Sequence, residues 1–366
     1  MIYKYSPIIF ILVIFFSCNK KSYKEIEVDG IRTLSNYEAN DENFRIDIER
    51  KFAYKLKDII PSNIDIINVD YTDVSDDGKI YILDSRQYKV HIIGADGNYI
   101  NSFGNKGIGP FEFSGSLNMV VVENRVIITL VDQAKSLIFD GNGNPLEEKK
   151  FISTNDTPAN VISSGDYIIS YNSSMSYEPD TKNRYSINRI LLFDNKLTNI
   201  AIISDEKELR ESGKSKIYGK LGSAVCIDSN DRIYITKESF TKYEFDIFDI
   251  KMNKLETISK KARTIPYSKE DEMKVVNLYK NIGIDINFEF KNKQLIRNIL
   301  LDRHDRVWIK PALETDDEKF IYDIFENGIF INRVELKLES SNFFFKNEYI
   351  YEIDYNNLVI TKCTYN

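Results

Sequence analysis

The sequence predicts an all-β fold: a six-bladed β-propeller of four-stranded antiparallel blades, with a short helical insertion between blades four and five. The first observation behind this prediction is a polar turn followed by alternating apolar residues, which recurs six times. The turns are centred on Asp77, Asn124, Gly165, Asn230, Asp305 and Asn347. They are separated by 47, 41, 65, 75 and 42 residues, and repeats of about 40–50 residues with four strands each are typical of propellers.

The second observation is the pattern inside one repeat. Residues 76–104 read "DDGKIYILDSRQYKVHIIGADGNYINSFG", in which polar turns separate three runs of alternating apolar residues. Asp, Asn and Gly tolerate the tight or left-handed geometry of hairpin turns. This stretch therefore predicts strands B, C and D of blade one. Helices do not alternate with these strands, which disfavours a parallel α/β sheet.

The last repeat contains three strands rather than four. An exposed strand edge invites aggregation, so another segment is expected to cover it. Residues 44–50, "FRIDIER", lie before the first repeat and alternate like a strand. We expect them to supply the outer strand of blade six and to close the ring.

The amino terminus indicates export. Residues 8–16 form an unbroken apolar run after an early lysine. The run has the length of a signal-peptide core and is shorter than the roughly 20 residues that span a bilayer. We expect residues 1–17 to be a signal peptide, residues 18–43 an N-terminal tether and residues 44–366 the propeller.

The end of this run, "FFSCNKK", resembles the lipobox of bacterial lipoproteins. In that family the peptide is cleaved before the cysteine, which is then acylated, so the resemblance implies lipid attachment at Cys18. Phe15 and Phe16 depart from the usual Leu-Ala/Ser lead, and an ordinary signal peptide with an incidental cysteine is the alternative. The following "NKKS" lacks the acidic run that resembles a surface-export signal, which favours a periplasm-facing position in the bacterial cell envelope.

The repeats as a whole resemble six-bladed β-propeller lipoproteins related to NHL-repeat proteins. Residues 103–113, "FGNKGIGPFEF", resemble that family's Phe-Gly…Gly-x-Gly-Pro-Gly-Glu-Phe loop after the first blade. Phe111 replaces the last glycine, so a different backbone is expected there. The resemblance covers nearly the whole chain after the signal peptide, and it implies an envelope-anchored propeller without a settled reaction.

The composition excludes one class of partner. The formal net charge is −7, whereas binding to nucleic acid needs a basic surface. Cys226 and Cys363 fall in blade four's strand A and blade six's strand C, too far apart in a ring for a disulfide. We therefore expect both thiols to be unpaired, and we expect a monomer.

The two faces of the predicted ring differ. The A–B and C–D turns lie on one face, here called the plain face, and are all short. The B–C and D–A connections lie on the other, here called the working face, and carry four insertions, at residues 171–186, 205–222, 263–294 and 311–319. The third insertion contains a helix with Ser268 as its N-cap, Asp271 at N3 and Gly283 at its end. Loops displayed from a rigid scaffold usually carry function.

A ring of asparagines is predicted at the working-face mouth of the central channel. Asn118, Asn160, Asn298 and Asn342 each start a strand A, and blades one and four offer Tyr71, Thr72, Asp73 and Ser223 there instead. Amide oxygens suit a sugar or a hydrated cation such as Ca²⁺. The alternative is that this Asn-rich chain places asparagines there by composition. Further rim candidates are Asp84, Arg86, Tyr88, Phe111, Glu112, Lys237 and Lys310.

The sequence predicts no catalytic site and no resident cofactor. His91 and His304 lack further ligands or triad partners nearby in the sequence, and no nucleotide-binding motif is present. We expect a non-enzymatic scaffold that binds an envelope protein, peptide or glycan through the working face. The alternative is a metal-dependent hydrolase or lactonase at the channel mouth, for which Asp73 is the one acid near the asparagine ring.

Overall fold

The computed structural model describes residues 22–64, 66–181, 183–210, 223–281, 288, 290–314 and 320–366. Six sheets form a ring, which confirms the six-bladed propeller. No helix in these residues is long and apolar enough to cross a membrane. Cys18 lies outside the described residues.

The amino-terminal elements are β1 (Tyr23–Val28), β2 (Ile31–Asn36), β3 (Ile48–Lys55) and α1 (Leu56–Ile59). Blade one follows with β4 (Tyr71–Val74), β5 (Ile80–Asp84), β6 (Lys89–Ile93) and β7 (Tyr99–Phe103). Blade two contains β8 (Leu117–Val122), β9 (Arg125–Leu130), β10 (Lys135–Phe139) and β11 (Pro145–Lys150). Blade three contains β12 (Val161–Ser164), β13 (Tyr167–Glu178), β14 (Asn183–Phe193) and β15 (Asn199–Arg210).

Blade four contains β16 (Val225–Ile227), β17 (Ile233–Thr236), β18 (Tyr243–Phe248) and β19 (Lys254–Lys260), and α2 (Lys269–Asn281) follows it. Blade five contains β20 (Ile296–Leu301), β21 (Val307–Pro311), β22 (Phe320–Glu326) and β23 (Ile329–Leu336). Blade six contains β24 (Phe343–Lys346), β25 (Tyr349–Asp354) and β26 (Val359–Tyr365). All six predicted A–B turns lie between the first two strands of a blade.

The ring closes through β3, which pairs antiparallel with β26 and becomes the outer strand of blade six. The prediction of closure is correct, but the strand begins at Ile48 rather than at residue 44. Phe44 and Ile46 do face the core between blades five and six, which explains their alternation. The carbonyls of Glu42 and Phe44 accept hydrogen bonds from the Asn332 side chain of blade five instead of joining a strand.

The predicted tether over residues 18–43 contains a hairpin that the sequence analysis missed. β1 and β2 pair with each other, and β2 pairs parallel with β19, so blade four is a six-stranded sheet. Leu34 is fully buried in the core between blades four and five. This part of the chain is therefore integrated into the fold rather than a free tether.

The insertions also differ from the predicted loops. Residues 171–178 belong to β13 and residues 183–186 to β14, and both strands continue far beyond β12, accompanied by β15. The third insertion contains the predicted helix, where the Asp271 N–H donates to Ser268 Oγ and the Ser268 N–H donates to Asp271 Oδ2, both at 3.1 Å. Gly283 and residues 211–222 and 315–319 lie outside the described residues.

The cysteines behave as predicted. Cys226 lies in β16 and Cys363 in β26, and both are free and buried. Burial raises the pKa of the Cys363 thiol to about 12 and that of Cys226 well above its usual value. Neither thiol is available as a nucleophile in the folded chain.

His91 is a buried strand residue of blade one. Its side chain is fully buried, and neither ring nitrogen has a hydrogen-bond partner among the described residues. The Tyr99 ring lies beside it, with ring centroids 6.3 Å apart. Burial lowers the pKa of His91 below its usual value near 6.5, because the charged imidazolium would lose its hydration.

His91 should make the protein less stable in mild acid. As the pH falls through about 6.5, the unfolded chain takes up a proton that the folded chain does not, so the free energy of unfolding decreases, by at most about 1.4 kcal/mol per pH unit. Chemical denaturation from pH 7.5 to 5.5 measures this slope. His91→Phe should flatten it. Equal slopes in the unaltered chain and this variant would contradict the assignment.

Candidate functional site

The polar groups of the plain face are used by the fold. Neighbouring A–B turns bond to each other: the Asp76 N–H donates to Asn124 Oδ1 at 3.2 Å, and Ser229 Oγ donates to Asp305 Oδ2 at 2.6 Å. Asn347 Nδ2 donates to the Asp76 carbonyl at 3.2 Å, which links blades six and one. These contacts hold the turns together.

Two of these turns each contain a buried aspartate in the equivalent position. Asp228 Oδ2 accepts hydrogen bonds from Arg232 Nε at 2.6 Å and from the Tyr234 hydroxyl at 3.0 Å. Asp302 is equivalent in blade five, where Oδ2 accepts bonds from Arg306 Nε at 2.7 Å and Trp308 Nε1 at 3.0 Å. A carboxylate bound by an arginine and an aromatic side chain fixes the turn on its own blade. The plain face is thus built for stability.

At the channel mouth, two of the predicted asparagines meet. Asn118 Oδ1 accepts one hydrogen bond from the Tyr71 hydroxyl and one from the Asn160 N–H, both at 2.8 Å. Asn160 Nδ2 in turn donates to the Tyr171 carbonyl at 3.1 Å. These bonds join blades one, two and three. Asn118 is a buried linker between blades, and its oxygen is already occupied.

The other two asparagines line separate cavities. Asn298 lines the central channel, a cavity of about 980 Å³ bordered by the inner strands of blades three to six and by Ser223. Asn342 lines a cavity of about 610 Å³ between blades five and six on the working face, together with Lys310. Arg297 borders both cavities. The structure therefore does not form one ring of four amides.

The loop after blade one keeps a glycine-like backbone. Phe111 has φ 56°, so this phenylalanine adopts the left-handed conformation that favours glycine. Its ring packs on Phe139, with centroids 5.7 Å apart, and its N–H donates to Glu148 Oε1 at 2.7 Å. Glu112 Oε2 accepts the Gly109 N–H at 2.7 Å. Both side chains stabilise the loop itself.

The remaining rim candidates divide into fold-supporting and exposed residues. Asp84 is fully buried and accepts four backbone N–H bonds, from Ile67, Asn68, Arg86 and Gln87. Lys237 forms ion pairs with Glu244 and Asp246. Arg86 is exposed on the B–C turn of blade one. Tyr88 follows in the same turn, and the Lys106 ammonium lies 5.4 Å from its ring centroid.

Asp73 is held by the backbone near the channel. Oδ2 accepts the Val121 N–H at 2.7 Å and Oδ1 accepts the Val74 N–H at 2.8 Å. Burial raises the pKa of this carboxyl above its usual value. Within the described ranges no three His, Cys, Asp or Glu side chains come together as a metal site.

One feature of the working face is the blade-three extension, defined as residues 172–178, 183–189 and 205–210. Its three strands remain paired along this length, whereas β12 pairs with β13 only as far as Ser170. Met175 and Tyr177 are 63% and 56% exposed on one side of the extension, and Leu209 is 48% exposed on the other. Large apolar side chains at this exposure are typical of interaction surfaces.

Sequence reasoning missed Arg297, Met175 and Tyr177 as functional candidates. Met175 and Tyr177 do alternate with serines in "SSMSYE", a period-2 signal that could have indicated a strand rather than a loop. Arg297 gave no such signal, because the contact between blades five and six arises only in the folded ring.

These features define a six-bladed propeller with a structural plain face and an elaborated working face. The chain belongs to the DUF5128 family, whose description is 6-bladed beta-propeller and whose model matches residues 62–262. A comparison with curated proteins finds no match.

Solved structures of similar shape are propellers too distant to inform activity. A DUF4221 family member from Bacteroides vulgatus is 11% identical, with 88% of this chain and 99% of that chain covered and a TM-score of 0.49. Virginiamycin B lyase from Staphylococcus aureus is 11% identical, with 87% and 99% covered and a TM-score of 0.43.

Proposed function

We propose that the protein is a lipid-anchored envelope scaffold without enzymatic activity, which binds a protein, peptide or glycan through its working face. The observation that carries this proposal is the blade-three extension, which projects ordered apolar side chains beyond the ring. Ordering such a sheet costs conformational entropy, and its exposed Met175 and Tyr177 add nothing to the core. A partner that covers them accounts for both features.

The extension also offers backbone groups to a partner. From Asn172 onwards β13 has no partner strand on its inner side within the described ranges. An unpaired strand edge can accept an extended peptide as an additional strand, with pockets for alternate side chains giving specificity. A peptide segment of an envelope protein is therefore the partner that the extension fits best.

A metal-dependent hydrolase or lactonase remains the second hypothesis from sequence. The described residues add no observation in its favour, since Asp73 is bound by two backbone N–H groups and Asn118 by two donors.

Shortening the extension should abolish partner capture without unfolding the ring. Ser174 and Ile187 are directly paired across β13 and β14, so replacing residues 175–186 by Asn-Gly forms a two-residue hairpin. Crosslinking of the purified full chain to envelope extract, followed by mass spectrometry, measures capture. We expect at least about a tenfold loss, equivalent to 1.4 kcal/mol.

A pair of double variants provides the matched control. Met175→Ser with Tyr177→Ser should weaken capture. Ile100→Ser with Leu146→Ser should not, although these residues are 45% and 55% exposed on the outer strands of blades one and two. Changing "GNGN" at 141–144 is a poorer control, because Gly143 has φ 84° and a Cβ there would lie 2.4 Å from Phe103. Loss of capture in the control pair alone would contradict the proposal.

A further inference from the structure

Hydrogen bonds fix the position of Ser22, the first residue that the structure describes. The Ser22 carbonyl accepts the Tyr37 N–H at 2.9 Å, and Ser22 Oγ donates to Asn40 Oδ1 at 3.0 Å. Asn40 is bonded in turn to the Phe330 carbonyl of blade five at 3.0 Å. Ser22 therefore lies at the outer edge of the ring, where blades four and five meet.

The length of the preceding segment limits how far this edge can lie from an anchor. Four residue steps separate Cys18 from Ser22, and an extended chain spans at most about 3.6 Å per residue. An acyl group on Cys18 would thus hold Ser22 within about 14 Å of the membrane surface. Ser22 directly precedes β1, the outermost strand of blade four.

One face of that edge has the composition of a membrane contact. Side chains alternate across β1 and β2, so Lys24, Ile26 and Val28 share a face with Ile31, Thr33 and Ser35. Leu255 and Thr257 of β19 continue the same face. None of these eight residues is acidic, and Ile26, Val28 and Leu255 are 41%, 48% and 37% exposed. We call this set the hairpin face.

The acidic residues of β1 lie on the opposite side. Glu25 and Glu27 alternate with the residues of the hairpin face, and Arg32 binds Glu25 at 2.8 Å and Glu256 at 2.6 Å. On the side of the hairpin face, Asp246 of β18 accepts the Thr257 hydroxyl at 2.7 Å, and ion pairs with Lys237 and Lys254 offset its charge. Lys24 on this face, and Lys20 and Lys21 in the tether, would be attracted to anionic headgroups.

We infer that the hairpin face rests on the lipid surface of the membrane that holds Cys18, so that the side of blade four that packs against blade three is nearest the bilayer and blade one is distant from it. This inference depends on the lipid anchor of the proposed function, but not on the identity of the binding partner. The working face is then presented sideways, along the membrane.

Fluorescence quenching at two matched positions tests this orientation. Ile26→Cys on β1 and Ile100→Cys on β7 replace similarly exposed isoleucines in blades four and one, which are opposite each other in the ring. In each variant the acylated full chain carries a fluorophore on the introduced cysteine. The chain is bound to anionic vesicles whose lipid headgroups carry a quencher. The native Cys226 and Cys363 are buried and will not be labelled. We expect quenching at position 26 and none at position 100.

A lengthened tether separates contact by the face from simple proximity. With a Gly-Ser insertion before Ser22, quenching should remain larger at position 26, because the hairpin face itself binds lipid. Equal quenching at the two positions, with either tether, would overturn the inference while leaving the anchor intact. Cys18→Ala should release the chain from vesicles. If the unaltered chain also fails to partition into vesicles, the lipid anchor is wrong, and so is the orientation inferred from it.

Discussion

Deleting residues 19–55 is expected to lower the free energy of unfolding by at least about 4 kcal/mol, because the ring loses β3 and the burial of Tyr54 with it. Tyr54 is 2% exposed in the core between blades one and six. β3 also covers the whole edge of β26, from Val359 to Tyr365. Without it, blade six keeps three strands and exposes an unpaired edge. Chemical denaturation of the purified variant measures the loss.

A shorter deletion separates ring closure from the hairpin on blade four. Deleting residues 19–36 removes β1 and β2 but leaves β3 in place, so the ring stays closed. We expect a smaller loss, dominated by Leu34 and by the hydrogen bonds of Asn36 to Ser259 and Gly328. If both deletions cost the same free energy, closure by β3 would not be what holds the ring together.

Replacing Asp323 by alanine is the single substitution with the largest expected effect. Its buried carboxylate binds Arg333 through two bonds at 2.7 and 3.0 Å, Lys260 Nζ at 2.7 Å and the Tyr243 hydroxyl at 2.6 Å. Removal leaves the Lys260 charge buried without its carboxylate, which typically costs about 3–5 kcal/mol. Asp47→Ala, at an exposed position, should change stability by less than about 0.5 kcal/mol.

The pH dependence of this loss provides a second check. Burial works to raise the pKa of Asp323, but the Lys260 and Arg333 charges outweigh it and hold the pKa below its usual 3.8. A lowered carboxyl pKa gives stability that is present above about pH 4 and is lost as the pH falls through the folded pKa. The difference between the unaltered chain and Asp323→Ala should therefore shrink in acid. A difference that grows below pH 4 would contradict the assignment.

Much of the fold could be predicted from local sequence patterns. The six A–B turns follow from polar residues between apolar runs, and the N-cap at Ser268 follows from its spacing to Asp271. These features depend on neighbours a few residues apart, so periodicity and turn chemistry reveal them. The closing strand could be predicted because the last repeat contains only three strands. The residues at which it begins and ends could not be predicted.

Features that depend on distant residues could not be predicted. β2 pairs with β19 across more than 200 residues, and nothing in "IRTLSN" points to that partner. The sequence predicts residues 171–186 as an insertion between strands B and C, and the serines and asparagines within them favour turns. Pairing with β14 on one side overrides that preference, as cross-strand contacts do in sheets.

The asparagine ring predicted at the channel mouth does not form a single site. All four lie at the start of an inner strand. The side-chain oxygen of Asn118 already accepts hydrogen bonds from Tyr71 and Asn160, and Asn298 and Asn342 line different cavities. Whether four asparagines form one site depends on the direction of their side chains and on the hydrogen bonds they already make. The spacing of residues in the sequence predicts neither.

Photo-crosslinking in intact cells tests the central claim, binding through the working face, most directly. A photoreactive amino acid replaces Tyr177 on the blade-three extension or, as the matched control, Ile100 on the outer strand of blade one. Our account predicts that position 177 forms a discrete covalent adduct with an envelope protein and that position 100 does not. An adduct from position 100, with none from position 177, would contradict it.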